Sequence, residues 1–134
     1  MRYFHNFYGQ FQISKKFGII AGLDIGIQQN SKKSSNYSYW YSPVIIGKYQ
    51  FTQKSAVAIR SELFSDEKQT YFLTGTSNGL NITGYSVNYD YSFSENVVWR
   101  IEAKGLSSKT EFFNLSNHPS KNQFYFTTTL VISF

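Results

Sequence analysis

Two histidines, His5 and His118, are the only imidazoles among 134 residues, and there is no cysteine. A hydrolytic or acyl-transfer site needs a nucleophile, a base within reach and an acidic or amide partner. His118 stands in the polar stretch NLSNHPSKN with Ser116 and Ser120 nearby, but no nucleophile motif frames it. No catalytic residue is assigned. Two distant histidines and scattered carboxylates also lack zinc-ligand spacing, and the missing thiols remove the other common ligand. The sequence implies no metal and no cofactor. The charges that recur in a pattern are a different set: Asp24, Lys48, Arg60, Glu62, Asp90, Arg100, Glu102 and Lys104. Four acids and four bases suit mutual bracing, whereas strong selection of one ion sign takes a single-sign ring.

Those eight positions alternate with apolar ones, so strands must carry them. Seven alternating stretches are readable: 3–13, 17–28, 37–51, 55–64, 80–93, 97–106 and 123–134. Most have ten or more residues, against a usual five or six in globular sheets. A tilted strand crosses a bilayer in about 9–11. On the second stretch Ile19, Ala21, Leu23, Ile25 and Ile27 face one way, and Gly18, Gly22, Asp24 and Gly26 the other. On the sixth, Val97, Trp99 and Ile101 oppose Val98, Arg100, Glu102 and Lys104. The third is ambiguous, with Trp40, Val44 and Ile46 on the face that carries Lys48. The last, FTTTLVISF, puts Phe126, Leu130, Ile132 and Phe134 on one face and ends on that phenylalanine. Most domains finish in a frayed polar tail instead.

The connections alternate in length. Ser14-Lys15-Lys16, Thr52-Gln53-Lys54 and Ser94-Glu95-Asn96 are tight, while 29–36, 65–79 and 107–122 are long and polar. Outer-membrane barrels are built with short turns at one end and long loops at the other. If each tight turn has three residues, Ile13 faces Phe17, Phe51 faces Ser55 and Phe93 faces Val97. Counting outward sets Asp90 opposite Arg100, Asn88 opposite Glu102 and Asn6 opposite Asp24.

The fold class expected is therefore all-β: an antiparallel transmembrane up-and-down β-barrel, with lipid on the apolar face and the eight charges facing the lumen. Glycines on the charged face relieve crowding inside a closed barrel; on a solvent face they would only weaken the strand. Tyr37, Tyr39, Trp40 and Tyr41 cluster at a loop-side strand end, where an interfacial aromatic girdle belongs. Seven strands is an odd number, and bacterial single-chain barrels have an even one. The opening MRYFHNFYGQ has no signal-peptide pattern. Together these make residues 1–134 the expected C-terminal part of a single, larger outer-membrane barrel domain.

Composition narrows the alternatives. Aromatics make up 19 % and charged residues 16 %, which is not a disordered composition. The apolar runs, such as residues 17–23, fall well short of the roughly 20 residues of a spanning helix. The net charge of +5 comes from scattered lysines without a basic stripe, so nucleic acid is not an expected partner. Lys32, Lys33, Lys68, Lys109 and Lys121 fall in the long loops, where anionic outer-membrane lipid and lipopolysaccharide would meet them.

Three stretches, FTQKSAVAIRSELFSDE, ENVVWRIEAKGLSSKTEFF and FTTTLVISF, resemble the OmpL-like outer-membrane β-barrel porin family of Bacteroidota. In its pattern Arg, Glu, an aromatic and Asp follow at steps of two and run into a long loop; here these are Arg60, Glu62, Phe64 and Asp66. The glycine that the family carries beside that Asp is replaced by Glu67. The similarity spans roughly 40–134. It implies a Gram-negative outer-membrane location, a barrel longer than this chain, and a last strand whose Phe126, Leu130, Ile132 and Phe134 form the signal read by barrel-assembly machinery. The function expected is a porin-like channel or a barrel subunit of an envelope complex with other envelope chains, without catalysis. The alternative is a soluble barrel of lipocalin or fatty-acid-binding type carrying an apolar ligand.

Overall fold

The computed structural model describes residues 1–74, 79–115 and 118–134. Antiparallel neighbours follow each other in sequence order through β1 (Arg2–Gln12), β2 (Phe17–Gln29), β3 (Tyr37–Gln50), β4 (Ser55–Asp66), β5 (Leu80–Ser94) and β6 (Val97–Ser108). A short hairpin, β7 (Phe113–Leu115) paired with β8 (His118–Ser120), stands in the third long loop. The chain then returns as β9 (Asn122–Ile132) beside β6. The seven long strands form one sheet in the order β1-β2-β3-β4-β5-β6-β9. The sheet is not closed, and six successive antiparallel pairings leave its edge strands β1 and β9 running parallel to each other.

All seven long strands stand where the alternation puts them, and the small hairpin is an addition. Its sequence, FNL and HPS, is too short to show a period. The last strand ends at Ile132 rather than running on to Phe134. Ile132 is opposite Val97, where β6 begins, so beyond it only the Asn96 carbonyl remains to accept the Ser133 N–H, at 2.9 Å.

Register follows the turns. Asn6 lies opposite Asp24, Asn88 opposite Glu102 and Asp90 opposite Arg100. The first two tight turns are the same device. Ser14 Oγ accepts from the amides of Lys16 and Phe17, and Thr52 Oγ1 from those of Lys54 and Ser55. In both, the glutamine two residues earlier donates its side-chain amide to the carbonyl of the turn's first residue: Gln12 to Ser14 and Gln50 to Thr52. The third turn lacks this glutamine and closes differently. Ser94, not Phe93, sits opposite Val97, and the register shifts between Ser92 and Ser94. Phe93 is the extra residue of a bulge, the usual way one strand absorbs one residue more than its partner.

A single-layer sheet leaves little to bury. Among the described residues the buried apolar side chains are Ala56, Leu80 and Phe113. The tightest packing falls on the face that carries the charges. A Cβ at Gly26 would lie 2.1 Å from Trp40 Nε1, whereas one at Gly47, on the other face, would find its nearest neighbour at 3.6 Å. Gly26→Val should therefore displace the Trp40 indole and cost about 1–3 kcal/mol through overpacking, while Gly47→Ala should be tolerated. Urea unfolding of the detergent-solubilised protein checks this; equal midpoint losses would contradict it.

Candidate functional site

Register decides which side chains share a face. Asp24, Lys48, Arg60, Glu62, Asp90, Arg100, Glu102 and Lys104 all lie on one face of the sheet. Arg60 bonds Glu62 two residues along β4, and Glu62 also bonds Lys104 Nζ at 2.7 Å. Glu62 and Lys104 stand on strands that are not neighbours. The link crosses β5 where Gly84, opposite Glu62, has no side chain; a Cβ there would come within 2.7 Å of Glu62 Oε1. Arg100 grips Asp90 with two parallel bonds of 2.6 and 2.7 Å, and Asn88 donates to the same carboxylate at 2.9 Å. Asp24 takes the Asn6 side-chain amide, while Lys48 and Glu102 make no ion pair among the described residues. Five of the eight charges are thus brought together in two clusters, while Asp24, Lys48 and Glu102 stand outside them. Half-exposed pairs of this kind contribute about 0–1 kcal/mol each, so their part is to fix geometry.

Trp40 parts company with the girdle residues. Tyr37, Tyr39 and Tyr41 point to the apolar face, and Trp40, opposite Gly26, to the charged one. The alternation of β3 requires it, because Trp40 and Lys48 are eight residues apart and even spacing means one face. There Trp40 meets Phe4 at 5.9 Å and Phe64 at 5.8 Å between ring centroids, and the loop residue Tyr71 at 5.1 Å.

Asp66 brings Tyr71 there. Its side chain is fully buried, and its oxygens accept from the amides of Thr70, Tyr71 and Phe72 at 2.6, 2.7 and 2.9 Å. Glu67, standing where the resemblance asks for glycine, does not spoil this loop. Left-handed backbone is taken up instead by Gln69 (φ 52°) and Gly79 (φ 61°), the latter pressed against the Asp66 carbonyl. Arg60, Glu62, Phe64 and Asp66 share one face, so the motif runs as a single row from ion pairs through aromatic packing to a loop anchor.

The other face is apolar and aromatic at both ends. Tyr3, Tyr37, Tyr39, Tyr41 and Tyr85 stand at the loop end, and Phe11, Tyr49, Phe51, Tyr91 and Phe93 at the turn end. Of these ten, only Tyr37, Tyr39 and Tyr41 form a local cluster in the sequence. The turn-end group is spread as one or two rings at each of three strands, so no local cluster announces it; only projecting the alternation onto a common register brings it together. From Tyr39 to Tyr49 the strand advances about 33 Å at ~3.3 Å per residue. A tilt of about 40° reduces that to roughly 25 Å, the height of a barrel's apolar band. Phe126, Leu130 and Ile132 line this face on β9, and Phe134 lies beyond the strand, fully exposed.

His5 also points to the apolar face, stacked on Phe7. His118 lies in β8 and Ser120 bonds the backbone of Asn122, while Ser116 falls outside the described residues.

A face with braced charges, an opposite face with two aromatic belts, and long strands joined by short turns at one end define a transmembrane β-barrel wall. The family described as "Putative beta-barrel porin-2, OmpL-like" matches residues 1–134. The chain belongs to that family, which makes it a porin-like β-barrel protein of the outer membrane. No curated relative and no solved structure matches it.

Asp66→Ala removes the acceptor for three amides, each such charge-assisted bond being worth about 1.5–3 kcal/mol. Limited proteolysis should then cut within residues 67–79 at least tenfold faster than in the parent, with the strands intact. An unchanged rate would show that the loop is held by something else.

Proposed function

We propose that this sheet is a section of wall in a passive outer-membrane pore, its charged face toward the water-filled lumen and its aromatic face toward lipid. One observation carries the reading. On β5, Tyr85 and Val87 are 60 % and 45 % exposed, while Ser86 between them is 7 % exposed. A water-soluble sheet is built the other way round; a barrel wall in lipid takes this arrangement.

The open edges support a larger barrel. Because β1 and β9 run parallel, an all-antiparallel closure needs an odd number of further strands between them. In this reading the described sheet is one part of a single barrel domain, the apolar face meets outer-membrane lipid, and loop lysines meet lipopolysaccharide. The free edge of β9, with Phe126, Leu130 and Ile132, is the surface offered to the assembly machinery. The lumen holds no catalytic centre in this proposal.

A second reading, a barrel that scaffolds an envelope complex with other chains, draws support from the Arg60–Glu62–Lys104 brace, which stiffens a wall whether or not solute passes it. Conductance separates the two. The pore reading expects discrete current steps in planar bilayers with weak ion selectivity, since the eight charges cancel. Absent steps, together with co-purifying envelope proteins, would favour the scaffold.

Facing is tested independently. Nitroxide labels at Ile45→Cys and Val87→Cys should be relaxed by oxygen dissolved in lipid, and a label at Lys48→Cys by a water-soluble nickel chelate. The reverse pattern would turn the barrel inside out and restore the soluble alternative.

A further inference from the structure

Three rows cross β1, β2 and β3 at the loop end of the charged face. Arg2, Gln28 and Ser38 form the first; Phe4, Gly26 and Trp40 the second; Asn6, Asp24 and Ser42 the third. Successive rows are about 6.6 Å apart, two residues at ~3.3 Å each. The pattern is an aromatic row bordered on both sides by hydrogen-bonding rows. In the middle row glycine makes room for the Trp40 indole, which stacks on Phe4 with ring planes 27° apart, and Phe4 keeps 57 % of its surface exposed. The Asp66-anchored loop sets Tyr71 over Trp40 at 5.1 Å. Beside them is a cavity of about 400 Å³ lined by Arg2, Phe4, Asp24, Gly26, Trp40 and Tyr71, with Tyr3 at its rim on the β1 edge, within the roughly 300–1,000 Å³ of small-molecule sites.

The bordering groups have capacity to spare. Arg2 uses Nε and one terminal nitrogen on Gln28, and Asp24 takes the Asn6 amide on Oδ1. That leaves the other guanidinium nitrogen and Oδ2 for a ligand, since a guanidinium has five donors and a carboxylate about four acceptor positions. An apolar ligand would leave both polar rows unsatisfied, which is costly. An anion would meet Asp24 and a cation would meet Arg2. What fits both is a neutral molecule with an apolar face and a rim of hydroxyls.

The geometry points to a binding site for a neutral hexopyranose chain, one sugar ring lying on the Phe4–Trp40 row with its hydroxyls on Asp24 and Arg2. The site rests on the pore reading for its access, and would make the loop-end mouth a place where saccharide is held before it passes.

The test is saturation-transfer NMR on the full-length barrel in perdeuterated lauryldimethylamine oxide, a detergent without a sugar headgroup. Maltohexaose, cellohexaose and mannohexaose serve as probes. At least one should receive saturation at its ring C–H protons, in a saturable titration. Phe4→Leu and Asp24→Ala should each weaken that binding about tenfold, the loss of one good stacking or polar contact. Tyr91→Phe, on the opposite face, should leave it unchanged. Phe4→Ala with retained heat-modifiable gel mobility serves if Phe4→Leu misfolds. No transfer to any of the three sugars, or equal binding by the Phe4 and Asp24 variants, overturns the site. Conductance is recorded on the same preparations. Current without binding leaves the pore and removes the site; binding without current leaves the site and removes the pore.

Discussion

In hydrocarbon a backbone N–H or C=O without a partner costs several kcal/mol, because no water can replace the lost bond. The rest of this structure is arranged around that requirement. Each strand from β2 to β6 is laddered on both sides, in registers of eight to thirteen residue pairs. Stability accordingly resides in the ladder, and the side-chain core shrinks to a few residues. A globular domain of this length would hide its large apolar residues. Here Phe4, Phe7, Ile45, Ile59 and Phe126 remain more than half exposed, which is tolerable only beside lipid, another strand or a bound molecule.

Freed from making a core, side chains divide the sheet's two faces between them. On the apolar face they gather aromatic rings toward both ends of the strands. On the charged face the useful residues are the small ones. Gly84 lets Glu62 reach across a strand to Lys104, and Gly26 leaves room for the Trp40 ring. Large groups on that face then act over longer spans than a nearest-neighbour pair allows. Arg60, Glu62, Phe64 and Asp66 illustrate this on a single strand, connecting charge, ring and loop in order.

Period two made the strands, their faces and the register of the charged pairs readable from sequence, because alternation is local and two of the turns fix the offset. Asp90 opposite Arg100 required only counting. What escaped has a physical cause in each case. The Phe93 bulge falls at the tight turn that has no glutamine two residues before it, a difference visible only after Gln12 and Gln50 are seen making the same bond. The turn-end belt of Tyr49, Phe51, Tyr91 and Phe93 emerges only when separate strands are aligned. Trp40 was pulled into the girdle by its tyrosine neighbours, although its even spacing from Lys48 already placed it on the other side. The Glu62–Lys104 link joins strands two apart, and no local pattern encodes it.

Asp66 holds its loop through the amides of Thr70, Tyr71 and Phe72, and an amide is the same in every residue except proline. The anchor is therefore indifferent to the side chains it secures. The path of the loop and the rings it carries are held by separate means: a change at Tyr71 or Phe72 to anything but proline would give up a ring contact on Trp40 or Phe64 and still leave the backbone tethered.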